Sequence, residues 1–83
     1  MVRVLFFGRL RELAGAAELT RALPEKTATA EDLARLLAAE NPELGAALAE
    51  PSVRVAIDRE FAARSAQLAG ASEVAFMPPL SGG

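Results

Sequence analysis

The sequence predicts an α+β domain in which a sheet of four or five strands is covered on one face by one main helix. Segments rich in β-branched and aromatic residues alternate with segments whose apolar residues recur at helical spacing. The 83 residues suffice for one domain, and no repeat or low-complexity tract divides them. The predicted order is strand, short helix, strand, long helix, short helix, strand, short strand and strand.

The first strand is predicted over residues 2–7, where Val, Leu and Phe dominate the run. A short helix over residues 9–14 follows, and Gly15 stands where a left-handed C-terminal cap belongs. Residues 18–23 then predict a second strand, which ends at Pro24 and pairs with the first strand in antiparallel fashion.

The main helix is predicted to begin after Thr29, whose hydroxyl is a good N-cap, and to extend to about Glu40. Glu31 and Asp32 stand at the positive end of its dipole, where carboxylates are stabilising. An apolar stripe predicts the helix face that packs on the sheet, and it consists of Leu33, Leu36 and Leu37.

A second, short helix is predicted with Asn41 as its cap and Pro42 at its first helical position. Pro51 ends this segment. Its buried side is predicted to consist of Leu44, Ala47 and Leu48.

The remaining elements are strands. Residues 53–57 alternate and predict a half-buried strand, residues 58–60 predict a turn, and Phe61 begins or flanks a short return strand. Residues 73–77 predict the last strand, which Pro78 stops because proline cannot donate to the ladder.

Composition excludes several kinds of function. The chain has no Cys and no His, so disulfides, zinc sites and thiol catalysis are excluded. A net charge of −2 argues against DNA or other nucleic acid as the main partner. No segment predicts a membrane span or a secretory signal, so we expect no membrane partner and a cytoplasmic location.

Strand periodicity divides the aromatic residues between the two faces of the sheet. The core face beneath the main helix is predicted to hold Val4, Phe6, Val74 and Phe76. Phe7 and Met77 then lie on the uncovered face, near the end where the tail departs. They either form an exposed apolar docking patch with Phe61, or they cap the core edge or pack under residues 62–68.

The C-terminal segment predicts a rigid body that carries a thin tip. We expect residues 1–77 to form the domain and residues 78–83 to form a flexible C-terminal tail. Pro78 and Pro79, here called the neck, hold the chain extended. The five residues 79–83 of this tail are expected to reach about 15 Å from the end of the sheet. Its two glycines, residues 82–83, fit a narrow channel, although a frayed terminus has the same composition.

The chemistry of such a tail depends on the carboxylate of Gly83, which is inert until it is activated. Adenylation converts it into a mixed anhydride, and a sulfur donor can then displace AMP. The resulting thiocarboxylate is a far better nucleophile than a carboxylate. Without Cys, His or a serine–base pair, the chain cannot perform this activation itself. It is therefore expected to be a carrier that other enzymes load and unload.

Two motifs resemble the small subunit of molybdopterin synthase, a family of ubiquitin-like, β-grasp sulfur carriers. Residues 4–15 read VLFFGRLRELAG and are similar to the family's opening strand and Arg-Glu-Leu helix. Residues 73–83 read EVAFMPPLSGG and match the family's pattern Asp/Glu-Val-Ala-Phe-x-Pro-Pro-x-Ser-Gly-Gly. The resemblance covers essentially the whole chain and implies a β-grasp fold.

The resemblance also implies roles for particular residues. Gly83 would carry the thiocarboxylate and donate its sulfur to a pterin precursor in molybdenum cofactor biosynthesis, with Gly82 as the slim residue before it. Partner contacts are implied for apolar residues on the open sheet face and for an arginine in the first helix. Those positions, together with the tail that enters the partner, are Phe7, Arg11, Phe61, Met77, Pro78, Pro79, Leu80 and Ser81.

The implied partners are the large subunit of the synthase, an adenylating enzyme that uses ATP and Mg²⁺, and a sulfur donor. The chain itself, a non-catalytic subunit of a sulfurtransferase, is expected to bind no cofactor and no metal directly. Three alternatives remain open. The chain could carry sulfur for transfer RNA thiolation or thiamine synthesis, although the front motif disfavours the thiamine carrier. It could be a protein modifier joined to lysines, or a plain interaction domain.

The chain departs from the family pattern at two turns. The family has Asp-Gly-Asp-Glu before the last strand, whereas residues 69–73 here read Ala-Gly-Ala-Ser-Glu. The family's middle strand ends in Val-Asn, whereas Ile57 and Asp58 stand here. Both changes concern turn chemistry and leave the role implied for Gly83 unaffected.

Overall fold

The computed structural model describes residues 1–79; the predicted tail residues Leu80, Ser81, Gly82 and Gly83 lie outside the described residues. Within residues 1–79 the chain forms five strands and three helices. In chain order these are β1 (Val2–Phe6), α1 (Arg9–Ala14), β2 (Glu18–Arg21), α2 (Ala30–Glu40), α3 (Pro42–Leu48), β3 (Arg54–Ile57), β4 (Glu60–Ala62) and β5 (Glu73–Met77).

The predicted α+β class and the predicted order of elements are confirmed. Three strand ends lie one or two residues inside the predicted limits: β1 ends at Phe6, β2 ends at Arg21, and β3 begins at Arg54. The predicted runs are longer because they include residues that have no register partner on the neighbouring strand.

The predicted turn over residues 58–60 is one residue too long, because Glu60 already belongs to β4. The turn consists of Asp58 and Arg59, whose φ angles are 48° and 70°. Positive φ at both central residues is what a type I′ turn requires, and that turn matches the twist of a tight hairpin. A two-residue turn leaves Glu60 opposite Ile57 in the ladder.

The first and last strands meet at the centre of the sheet, whose order is β2-β1-β5-β3-β4. β1 and β5 run parallel, with Arg3 opposite Glu73 and Phe6 opposite Phe76. The other three pairings are antiparallel. Because β1 and β5 run in the same direction, Gly8 and the neck both follow the C-terminal ends of these strands and leave the sheet at the same end.

The core lies between the sheet and the helices. The rings of Phe6 and Phe76 stack with their centroids 6.1 Å apart. The four predicted core residues of the sheet are confirmed, because each is at most 1% exposed: Val4, Phe6, Val74 and Phe76. In the predicted stripe of α2, Leu33 and Leu37 are buried, and Leu36 packs at the margin of the core.

The predicted helix caps are confirmed. Thr29 Oγ1 accepts a hydrogen bond from the Asp32 N–H, and Asp32 Oδ2 accepts one from the Thr29 N–H, each at 3.1 Å. This reciprocal capping box begins α2. Asn41 Oδ1 accepts from the Leu44 N–H at 3.1 Å, and its Nδ2 donates to the Leu13 carbonyl at 2.9 Å. Asn41 therefore begins α3 and also fastens α1 to the α2–α3 junction.

Two glycines support the helical layer. Gly15 ends α1 in the left-handed region at φ 76°, as predicted. Gly45 lies where α3 crosses α2, and a Cβ built there would come 2.3 Å from the Cβ of Ala38. Only a glycine therefore permits this close approach.

The longest helix, α2, has 11 residues, and among the helices of residues 1–79 none combines the length and apolar content needed to cross a membrane.

Candidate docking site at the C-terminal neck

The sheet face opposite the helices is open. A row of four residues crosses it in register: Leu5, Ala75, Ala56 and Phe61. Since the two central residues are alanines, the middle of this face forms a depression between the larger side chains of Leu5 and Phe61. Farther from the neck, Arg3 Nη2 donates to Glu73 Oε1 at 2.9 Å. The open face therefore has a charged end and an apolar end.

The apolar groove occupies the end of this face where the chain leaves the sheet. Its volume is about 710 Å³, and it is lined by Phe7, Ser52, Arg54, Phe61, Met77, Pro78 and Pro79. Phe7 is 41% exposed and Phe61 is 68% exposed, whereas Met77 is half-buried. Exposed aromatic side chains grouped on so small a domain form a surface suited to a partner.

The structure thus brings the three residues of the predicted docking patch, Phe7, Phe61 and Met77, together in one groove. Residues 62–68 are not among those that line this groove, so Phe7 and Met77 do not pack under that segment. The geometry is compatible with capping of the core edge as well as with contact to a partner, and the docking role stays a prediction. Strand alternation was the signal that separated Phe7 from the buried Phe6.

Arg54, which the sequence did not single out as a site residue, lies in the same groove. Its guanidinium carbon stands 4.5 Å from the centroid of the Phe61 ring. Ala56 pairs with Phe61 across the β3–β4 ladder, so Arg54 is the diagonal neighbour of that ring on the same face. The alternation of residues 53–57 had indicated that Arg54 faces away from the core, but its aromatic partner depends on the hairpin register.

The neck is seated on Gly8. A Cβ built at Gly8 would come 2.8 Å from Pro78 Cγ, and Gly8 has φ 57°, where other residues are strained. Immediately before it, the Phe7 N–H donates to the Phe76 carbonyl at 3.2 Å and holds the two strand ends together. The contact between Gly8 and Pro78 could not be predicted, because seventy residues separate the two in sequence.

A second groove, here called the Arg9 groove, lies on the other side of the neck. Its volume is about 420 Å³, and it is lined by Gly8, Arg9, Leu10, Glu50, Ser52, Val53, Pro78 and Pro79. The two prolines line both grooves. The neck therefore forms a ridge with an apolar groove on one side and a groove containing Arg9 and Glu50 on the other.

Arg11, the arginine implied by the resemblance, lies in α1 with an exposed side chain. Its helix begins directly after Gly8, and the Arg11 N–H donates to the Gly8 carbonyl at 3.1 Å. Arg11 is not among the residues that line the two grooves. The other predicted tail positions, Leu80, Ser81, Gly82 and Gly83, lie outside the described residues.

Groups with clearly shifted pKa values lie at the ends of α2, away from the neck. The backbone N–H groups of Ala28 and Thr29 hold the pKa of Asp32 below its usual value. Hydrogen bonds between Arg21 and Glu40 lower the pKa of the carboxyl and raise the pKa of the guanidinium. These shifts belong to a helix cap and to a β2–α2 ion pair. In residues 1–79, no group of three or more carboxylates is placed to hold a metal ion.

The mixed five-stranded sheet has its helices on one face, and a C-terminal neck follows its central strand. This architecture defines a ubiquitin-like β-grasp domain. SAMP1 from Haloferax volcanii superposes with a TM-score of 0.80 at 27% identity, covering 99% of this chain and 98% of that chain. A putative molybdopterin converting factor, subunit 1, from Pyrococcus furiosus has the same fold, with a TM-score of 0.76 at 23% identity over 95% and 97% of the two chains. The predicted β-grasp fold is confirmed.

The chain belongs to the ThiS family, whose model matches residues 4–83. The molybdopterin synthase sulfur carrier subunit of Escherichia coli is 34% identical over 85 residues, which cover both chains completely. The protein of the same name from Caenorhabditis briggsae is 37% identical over 99% of this chain and 96% of its own length. Family and relatives agree with the resemblance read from the two motifs, and they fit a sulfur-carrier role.

Proposed function

We propose that the protein is a sulfur carrier of molybdenum cofactor biosynthesis, the small and non-catalytic subunit of molybdopterin synthase. The observation that carries the proposal is the neck: a proline ridge seated on Gly8 that leaves the sheet beside an exposed apolar groove. This arrangement lets a partner hold the body of the domain while the residues beyond the neck enter the partner's active site. The full-length relatives that bear this name support the same role.

The proposed chemistry takes place on the α-carboxylate of Gly83. One of its oxygens attacks the α-phosphate of ATP, which expels pyrophosphate and leaves an acyl adenylate. The sulfur donor supplies sulfide, HS⁻, which attacks the acyl carbon. The bond from that carbon to the AMP oxygen breaks, AMP departs, a proton is released, and the acyl adenylate becomes a thiocarboxylate. ATP and Mg²⁺ belong to the adenylating partner, and Gly82 keeps the chain before the reacting carbon slim.

The chain is proposed to contribute position rather than catalytic groups. It has no Cys or His that could serve as a nucleophile or as the commonest general base. The large subunit would supply those groups and would hold the pterin precursor that receives the sulfur. The protein is therefore proposed to act as the sulfur-donating subunit of a sulfurtransferase and to have no activity alone.

The docking face is proposed to consist of Phe7, Phe61 and Met77, with Arg11 as a charged contact beside it. Partner contacts would continue along the neck and then along Leu80 and Ser81 inside the partner. The adenylating enzyme and the large subunit both need the same tail, so their complexes with the chain would be mutually exclusive.

The test is the intact mass of the chain purified from its own cells. We expect a fraction whose mass corresponds to the exchange of one oxygen for one sulfur, confined to the C-terminal peptide. A chain lacking Gly83 serves as the control and should neither gain sulfur nor support molybdopterin synthesis. Normal cofactor synthesis by that deletion would contradict the proposal.

A second candidate function is that of a protein modifier, and the likeness to SAMP1 from Haloferax volcanii favours it. SAMP1 stands for small archaeal modifier protein 1. The protein of that name from Methanosarcina acetivorans is 22% identical to this chain and shares its fold. Conjugation would leave a Gly-Gly remnant on target lysines, which peptide mass spectrometry detects. The sulfur-carrier alternatives can be distinguished in cells from which the chain has been deleted. The product that these cells fail to make, molybdopterin, thiamine or thiolated transfer RNA, identifies the pathway that the chain serves.

A further inference from the structure

One exposed arginine stands on each side of the neck. Arg9 lines the Arg9 groove and Arg54 lines the apolar groove, whereas Pro78 and Pro79 line both. A partner that takes in the tail must pass over this ridge, so it covers both flanks at once. Both arginines would then lie at the rim of the contact.

Neither arginine has an ion-pair partner within residues 1–79. Four other arginines there pair with carboxylates of this chain: Arg3, Arg21, Arg35 and Arg64. Arg11 and Arg59 form no ion pair within residues 1–79 either, but they line neither groove beside the neck. Glu50 lines the Arg9 groove together with Arg9 but forms no ion pair with it. The two cations beside the neck are thus available to groups from outside the described chain, and a cation covered by a partner needs a compensating anion.

Arg54 is also held in a defined position. Its guanidinium lies over the ring of Phe61 at 4.5 Å. A stacked guanidinium keeps the N–H groups at its edges available, and that planar fork matches a carboxylate. Holding the group in place reduces the side-chain entropy that binding would otherwise cost.

We infer that the large subunit carries carboxylates at the rim of the channel that receives the tail, and that these pair with Arg9 on one flank of the neck and with Arg54 on the other. The inference rests on the proposed function and adds the chemistry of the partner's rim. The chain has a net charge of −2, so an acidic rim would be repelled by the chain as a whole. Attraction would come from the two local cations and would orient the neck towards the channel.

The experiment measures association and dissociation rates between the chain and the purified large subunit of the same organism at low and at high ionic strength. The variants are Arg9→Glu, Arg54→Glu, their combination, and Arg→Lys at both positions. Lys26→Glu is the matched control. Lys26 is exposed and follows β2 at the sheet end where Arg21 pairs with Val2, opposite the neck. The melting temperature of each variant verifies that it is folded.

We expect each charge reversal to lower the association rate constant about tenfold at low salt, with a much smaller change in the dissociation rate. The variants should approach the wild type at high salt, where such charges are screened. The Arg→Lys variants should keep most of the rate, and Lys26→Glu should change it less than about twofold.

Three outcomes would overturn the inference. If the wild type binds and the reversals change neither the rate nor its salt dependence, the rim carries no such carboxylates, although the proposed function stands. If Lys26→Glu has the same effect as the reversals, only total charge matters. If the chain alone self-associates through Arg9 and Arg54, the anion belongs to a second copy. A wild type that does not bind the large subunit at all would contradict the proposed function itself.

Discussion

Asp58 and Glu73 are joined by two hydrogen bonds that run in opposite directions. The Asp58 N–H donates to the Glu73 carbonyl at 2.9 Å, and the Glu73 N–H donates to Asp58 Oδ1 at 3.0 Å. The same carboxylate oxygen accepts from the Ser72 N–H at 2.9 Å. The two turns at which the chain departs from its family pattern therefore meet. One carboxylate satisfies two N–H groups at the start of β5.

Replacement of Asp58 should show how much the hydrogen bonds to its carboxylate contribute to the free energy of unfolding. We expect Asp58→Gly to lower the free energy of unfolding by about 1–2 kcal/mol, because two N–H groups lose their acceptor. Glycine accepts the φ of 48° at this position, so backbone strain does not contribute. Asp58→Asn keeps an amide oxygen and also tolerates the left-handed region, and it should cost less than about 0.5 kcal/mol. Chemical denaturation measures both, and equal losses would contradict the assigned role of the oxygen.

Gly8 should determine the direction of the neck. Gly8→Ala places a Cβ that would lie 2.8 Å from Pro78 Cγ, so we expect displacement of the prolines and a loss of about 1–3 kcal/mol of stability from the positive φ. Gly15→Ala is the matched control, because its φ is also positive but a Cβ there meets nothing within 4 Å. NMR chemical shifts of Met77 should move only in Gly8→Ala. The same shift change in both variants would exclude a specific contact.

Phe6 and Phe7 are adjacent in sequence but should respond in opposite ways to replacement. Phe6 is 1% exposed, so Phe6→Ala should cost about 3–5 kcal/mol of stability through the cavity it leaves. Phe7 is 41% exposed, so Phe7→Ala should change stability by less than about 1 kcal/mol and weaken binding to the large subunit about tenfold or more. Thermal denaturation and calorimetric titration measure the two effects. A large loss of stability with unchanged affinity in Phe7→Ala would contradict the docking face.

Acid should weaken the cap of α2. The pKa of Asp32 is lowered in the folded protein by hydrogen bonds from the N–H groups of Ala28 and Thr29. Its ionised form therefore stabilises the fold above the unfolded pKa, and this contribution is lost as the pH falls through the folded pKa. Asp32→Asn should be less stable than the wild type at neutral pH, and the two should converge in strong acid. Urea denaturation across this range measures the gap, and a constant gap would show that the charge is irrelevant.

Local features of the fold could be predicted because their partners are near in sequence. Thr29 and Asn41 cap helices through N–H groups three residues away, and Gly15 ends α1 within the same turn. Strand alternation separated Phe6 from Phe7 by the same kind of short-range rule. The hairpin turn was less well predicted, because Asp58 and Arg59 both adopt positive φ, which is uncommon for residues other than glycine.

The sequence by itself determined the elements, the two faces of the sheet and the family, and it identified Gly83 as the reacting position, which stays a prediction. Only the tertiary structure decided what surrounds the neck. The parallel pairing of β1 with β5 brings Gly8 under Pro78, and the β3–β4 register brings Arg54 over Phe61. The contact between Gly8 and Pro78 depends on how distant strands pair, which follows from packing of the whole core. The contact between Arg54 and Phe61 depends on the two-residue turn that sets the hairpin register.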